Sequence, residues 1–198
     1  MSASGLAAVW STENTREAII AAMKRRETYA TTGPRIQVRL FAGWDFSEND
    51  AQVEDLAAIG YAGGVPMGGE LAQAPEGKTP KFLIRAVKGP IDHNLDRVQI
   101  IKGWLDASGK AQEKIYNVAW AGDRNIDAEG KLPAIGNTAD ITTGKTTNTI
   151  GEAELATVWT DPDFEAEQKA FYYARVLQIP TVRHSQRDAI ALGIDTPY

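Results

Sequence analysis

The feature that most constrains this chain is a series of short β-prone segments that begins near residue 35, each closed by turn-forming residues. The strongest is Ala170 to Ile179 (AFYYARVLQI), aromatic and β-branched, and stopped by Pro180. Gln37 to Phe41 alternates polar and apolar side chains, as a half-buried strand does. Phe82 to Val87, Leu95 to Leu105, Lys114 to Trp120, the threonine-rich Ile141 to Ile150, and Glu154 to Thr160 complete the set. Asp106-Ala107-Ser108-Gly109-Lys110 carries hairpin-turn chemistry between two of them. A near copy, Asp127-Ala128-Glu129-Gly130-Lys131, recurs with unlike flanks, which makes it a second turn of the same kind and not a structural repeat. About seven strands at this spacing favour a β-sandwich.

The first residues read differently. Leu6 to Trp10 is a short apolar run with strand character. Asn14 with Glu17 makes a capping-box-like pair, and Ala18, Ile19, Ala22 and Met23 mark one helical face. Lys24, Arg25 and Arg26 close that helix where cations suit its dipole. Thr28 to Thr32 is β-prone, and Gly33-Pro34 breaks the chain. A strand–helix–strand unit cannot bury its apolar faces alone. The expected class is mainly β (α+β). Residues 1–34 are expected to form the closing unit of an α/β domain, and residues 35–198 a β-sandwich-like domain. A long Gly-rich loop at about 44–80 interrupts the second region, with one short helical turn near Val53 to Ile59. Ser185 is the expected cap of a last helix, from Gln186 to Leu192, which Gly193 stops.

Composition closes off several chemistries. The net charge of −5 and pI of about 5.1 argue against a nucleic-acid surface, which needs a basic field. No apolar run approaches the roughly 20 residues that span a bilayer, so no membrane span is expected. Met1 to Leu6 shows no signal-peptide pattern, which leaves the compartment of a soluble chain, periplasm or cytoplasm, open. The absence of cysteine removes disulfides, thiolate metal sites and cysteine nucleophiles. Two histidines, His93 and His184, are a poor supply for a catalytic metal centre, so no metal ligand and no catalytic residue is assigned.

The short motifs are better explained by structure. Gly144-Lys145-Thr146 resembles the end of a phosphate loop, but Ala139 stands where that loop needs glycine. Asp161-Pro162-Asp163 with Glu165 and Glu167 lacks the central glycine of a calcium loop and reads as a turn with solvated acids. His184, Ser185 and Asp188 have the residue types of a hydrolytic triad without a nucleophile elbow. His93, between two aspartates, reads as a surface residue. The glycine loop Gly63-Gly64-Val65-Pro66-Met67-Gly68-Gly69 allows close backbone approach to a ligand, or is a plain connector. Trp44, Trp104, Trp120 and Trp159 could line a sugar-binding face, or pack between sheets.

Four longer segments resemble one family: residues 5–39 (GLAAVWSTENTREAIIAAMKRRETYATTGPRIQVR), 64–71 (GVPMGGEL), 95–110 (LDRVQIIKGWLDASGK) and 158–183 (VWTDPDFEAEQKAFYYARVLQIPTVR). They are similar to the C-terminal portion of the bacterial proteins grouped as domain of unknown function 3604, relatives of the PHP (polymerase and histidinol phosphatase) metallohydrolases. The resemblance implies that a divalent metal and its His and Asp/Glu ligands belong to a preceding catalytic domain, with no cofactor held by this chain. The expected partner is that N-terminal catalytic domain or a second copy of the chain. Both ends then look cut. The family commonly has an aromatic residue near His184, which weakens a catalytic role for that histidine. Trp10, Glu13, Gly63, Gly64, Met67 and Gly68 would border the active site of the intact protein. The implied function is a non-catalytic region that packs on the hydrolase domain and shapes substrate access. The alternatives are a stand-alone carbohydrate- or ligand-binding β-sandwich module, and a metal-dependent hydrolase whose site is completed by oligomerisation.

Overall fold

The computed structural model describes residues 5–195. In chain order it contains β1 (Leu6–Val9), α1 (Arg16–Lys24), β2 (Thr28–Thr31), β3 (Gln37–Gly43), a 3-10 helix (Glu48–Gln52), α2 (Leu56–Gly63), β4 (Gly64–Pro66), β5 (Lys81–Val87) and β6 (Leu95–Leu105). Then come β7 (Ala111–Trp120), β8 (Ala139–Asp140), β9 (Lys145–Thr146), β10 (Glu154–Thr160), β11 (Ala170–Gln178) and α3 (His184–Leu192). The fold is mainly β, of the α+β class.

Two antiparallel sheets carry the core. One has the order β10-β5-β3-β4 and the other β11-β6-β7. Period-2 alternation decides which side chains meet. Leu40, Phe82, Ile84 and Ala86 of the first sheet pack against Val98 and Ile100 of the second, with Leu95 and Leu155 closing the ends. The opposite register of the first sheet is also apolar: Phe41 and Leu83 pack under the 3-10 helix and α2, on Phe46, Ala51 and Leu56. The first sheet is thus buried on both faces.

That second layer corrects the expectation of an irregular stretch at 44–80. Asp55 caps α2 by accepting the Ala58 N–H at 3.0 Å. Gly60 lets the helix lie directly on the sheet, where an added methyl would overlap the Phe41 ring. The Arg85 guanidinium donates to the carbonyls of Ala51, Val53 and Glu54 at 2.7–3.2 Å, tying the end of the 3-10 helix to β5. Ile141 to Ile150 departs from expectation in the other direction. It holds only the two-residue β9, paired across a turn with β8 just before it, because Asp140 accepts the Thr142 and Thr143 N–H groups and spends those donors locally.

A buried polar cluster locks the far end of the sandwich. Lys102 Nζ donates to Asp161 Oδ2 at 2.7 Å, the Tyr172 hydroxyl donates to the same oxygen at 2.7 Å, and both charged side chains are out of solvent. Asp161 is therefore a structural anchor, contrary to its reading as a solvated turn acid.

Strands β1 and β2 pair with each other, antiparallel, with α1 between them in sequence. Thr15 caps α1, its hydroxyl accepting the Ala18 N–H at 3.3 Å, in place of the expected Asn14. The unit docks on the open edge of β3. Trp10 Nε1 donates to the Val38 carbonyl at 3.0 Å, and the Tyr29 hydroxyl is hydrogen-bonded to the Val38 backbone. Two side chains therefore end a ladder that no strand extends at this position. Arg39 lies over the Trp10 ring, 3.8 Å from its centroid.

Candidate functional site

The docked unit and the sandwich enclose a groove of about 1110 Å³. Its walls are β2 with the following Thr32 to Pro34, the Ile36–Val38 edge of β3, Ile91 to His93, β11 from Tyr173 to Gln178, and the first turn of α3. The strand β11 is an edge strand of its sheet, so its backbone borders the groove along most of its length.

Charge is distributed unevenly in this groove. Arg26, Arg175, Arg183 and Arg187 line it with His93 and His184, whereas Asp92 is the sole carboxylate among the lining residues. Asp92 is already engaged: its Oδ2 accepts the Arg35 N–H at 2.6 Å and its carbonyl accepts Lys88 Nζ at 3.0 Å. Arg175 Nε donates to Gln99 Oε1 at 2.9 Å, and Gln99 Nε2 donates to Asn117 Oδ1 at 2.9 Å, a ladder that fixes the guanidinium across the sheet. Arg26, the single non-glycine residue with positive φ among those described, pairs its side chain with Glu70 at 3.4 Å. Burial and then the nearby Arg187 charge hold His93 below the usual imidazole range, against the opposing pull of Asp92, so it is mainly neutral at pH 7.

Two buried side-chain atoms on this wall lack any hydrogen-bond partner among the described residues: Gln178 Oε1 and Arg187 Nε. A bulge in the β11–β6 pairing falls between Leu177 and Gln178.

The residues singled out from sequence separate into four places. Met67 and Gly68 line the groove, where Gly68 backs onto the Arg26 carbonyl so closely that a side chain would overlap it. Trp10 lies behind it, in a small cavity shared with Glu27, Arg39 and Met67. Gly63 and Gly64 pack against Phe46 and the Ala42 carbonyl, on the other face of the first sheet. Glu13 is exposed in the turn before α1, its carbonyl accepting the Ser11 hydroxyl at 2.8 Å. Sequence reasoning missed the arginines and the convergence of His93 with His184, which lie 91 positions apart in sequence. No local pattern joins those positions; only the sheet order brings β11, α3 and the 91–93 turn together.

Beside Trp10, Glu27 is buried and holds Arg25 at 2.6 Å, the Tyr61 hydroxyl donates to it, and Tyr61 in turn accepts from Arg39 at 3.1 Å. Burial alone would raise the Glu27 pKa, but the hydrogen bonds from Arg25 and Tyr61 outweigh it and bring the carboxyl below its usual range. Among the described residues, no three His, Cys, Asp or Glu side chains come together to hold a metal ion. No described helix is long and apolar enough to cross a membrane.

Two packed antiparallel sheets, a helical layer and a docked strand–helix–strand unit define a mainly β chain with one large groove at the seam. The chain belongs to the family described as "Protein of unknown function (DUF3604)", whose model matches residues 1–198. No curated protein and no solved structure matches it.

Proposed function

We propose that this chain is a non-catalytic, C-terminal region of a bacterial PHP-like metal-dependent hydrolase, packed on the catalytic domain and shaping access to its substrate. One observation carries the reading. The unit at the start of the chain keeps much of its apolar surface uncovered: Leu6 is 40%, Ile20 42% and Met23 52% exposed, while Ala22 is its one fully buried apolar side chain among the described residues. Ile20 and Met23 are three apart and share a helix face. An amphipathic helix normally turns such a face to a core. A catalytic domain seated there would also stand beside the mouth of the groove, since β2 belongs to both features.

The divalent metal of such a hydrolase would be held by the catalytic domain. The described residues of this chain do not fit a metal centre, so no chemical step is routed through one here. Elemental analysis of the purified chain, paired with an assay on a model phosphoester, tests the reading. The expected result is neither stoichiometric divalent metal nor turnover from the chain alone. Tightly bound metal at one equivalent together with metal-dependent turnover would overturn it.

A ligand-binding module is the second reading, and one feature favours it. None of the five tryptophans is exposed, but Phe171 and Tyr173 stack on the outer face of β11 with ring planes 12° apart, and both are open to solvent. An aromatic platform for a sugar ring would use these two rings.

A further inference from the structure

We infer that the groove between β2, β11 and α3 is a binding site for a small organic anion that also carries hydroxyl donors, of the sugar-acid or sugar-phosphate class. This rests on the groove itself and does not depend on the relation to a hydrolase.

The first support is charge. The whole chain carries −5, yet four arginines line this one concavity; Arg26 is paired at the rim with Glu70, and Asp92, the one carboxylate among the lining residues, is already bonded. Like charges gathered in a cleft repel one another and focus a field that attracts a counter-charge. Guanidinium groups also offer planar, paired donors that match a carboxylate or a phosphate. The first turn of α3, a nine-residue helix, brings Arg183, His184 and Arg187 to the groove without a side-chain cap, so its positive end adds to the same field.

The second support is independent of charge. Buried polar atoms are nearly always hydrogen-bonded, and one left alone is destabilising. Among the described residues, four buried side-chain atoms lack a hydrogen bond, and two of those, on Arg85 and Asp96, lie in ion pairs at 3.1 and 2.7 Å. The remaining two, Arg187 Nε and Gln178 Oε1, both belong to residues lining the groove. They ask for opposite things. A guanidinium nitrogen only donates, so its partner is an acceptor; an amide oxygen only accepts, so its partner is a donor. They do not satisfy each other. One ligand with an anionic group and a hydroxyl answers both, and Thr28, Thr31, Thr181 and Tyr173 offer further hydroxyl partners along the wall. The volume of about 1110 Å³ is at the upper end for small-molecule sites and accepts a ligand of one or two sugar rings.

Isothermal titration calorimetry of the full 198-residue chain at low ionic strength tests this, with glucuronate, glucose 6-phosphate, glucose and inorganic phosphate as probes. The expected result is saturable binding of glucuronate or glucose 6-phosphate, tighter than that of glucose. A preference for the first points to a carboxylate and for the second to a phosphate, and either supports the site. Arg187→Gln should weaken the anionic sugars by about tenfold or more, as expected for loss of a charged hydrogen bond. Gln178→Leu should weaken the same sugars and leave inorganic phosphate unchanged. Because either variant can disturb packing, the unaltered protein labelled with nitrogen-15 is titrated in parallel. Its amide shifts should concentrate in β2, residues 91–93, β11 and the start of α3. Glucose binding as tightly as the anions, no binding by either anionic sugar, or shifts centred elsewhere would each overturn the inference.

Discussion

The sandwich and the docked unit solve the same problem in opposite ways. In the sandwich, β10, β5 and β3 of the central layer find apolar neighbours on both faces, and even the charged Lys102 and Asp161 are closed inside with partners. The unit at residues 5–34 is held by a few directed contacts: an indole N–H and a phenol on Val38, a guanidinium over Trp10, and a tyrosine on Glu27. Its apolar side chains Leu6, Ile20 and Met23 stay largely open. One region is held together by a buried core; the other is positioned by polar anchors, with little apolar burial of its own. The difference suggests where a partner would bind, because hydrophobic burial is a term still largely available to α1, whereas the exposed apolar side chains of the sandwich, such as Leu105 and Phe171, sit on its outer sheet and not in its core.

The largest expected break lies in the sandwich. Asp161→Asn should leave Lys102 as a buried charge without a counter-ion and cost about 3–5 kcal/mol in urea denaturation. A loss under about 1 kcal/mol would mean that the pair is wetter than the structure shows, and the contrast between closed and open regions would weaken.

Glu27→Gln should cost about 1–3 kcal/mol, because Arg25 and Tyr61 lose a buried anionic acceptor. This variant also carries a pH signature. The Glu27 carboxyl is more acidic folded than unfolded, so its contribution is fully present above the unfolded value of 4.5 and is lost as pH falls through the lower folded value. Stability curves of the parent and the variant should converge on acidification below pH 4.5. Asp163, lowered mainly by its hydrogen bonds from Lys114 and Tyr116, keeps the same acid dependence in both proteins.

The smallest effect is expected on the open surface. Ile20→Glu should change the stability of the chain by less than about 0.5 kcal/mol, since a solvent-exposed position away from caps and networks is nearly neutral. The same change should abolish association with a catalytic domain, read by co-purification. A large loss of stability in the chain alone would show that Ile20 belongs to an internal core.

The contrast itself was partly legible in the sequence. Leu95 to Leu105 and Glu154 to Thr160 coincide with β6 and β10, because long runs with β-branched and apolar residues and clear turn residues at their ends leave little ambiguity. The two Asp-x-x-Gly-Lys turns repeat the same bonds: Asp106 accepts the Lys110 N–H at 3.0 Å and Asp127 accepts that of Lys131 at 2.7 Å. The sequence signals only a single turn at α2, since its glycines lower helix propensity and make sense only once Phe41 and Phe46 lie against them. The buried state of Asp161 was hidden because its partner Lys102 is 59 residues away. The groove was hidden for the same reason: each arginine and histidine looks like ordinary surface until non-adjacent strands bring them to one seam.

Hydrogen exchange measured on the chain alone, and again with the chain joined to the catalytic region proposed to cover it, tests the central claim most directly. The amides of β1 and α1 should exchange much faster than those of β5 and β6 in the chain alone, and should slow markedly in the joined protein while the sandwich stays unchanged. Equal protection of both regions in the chain alone, with no change on joining, would contradict the account.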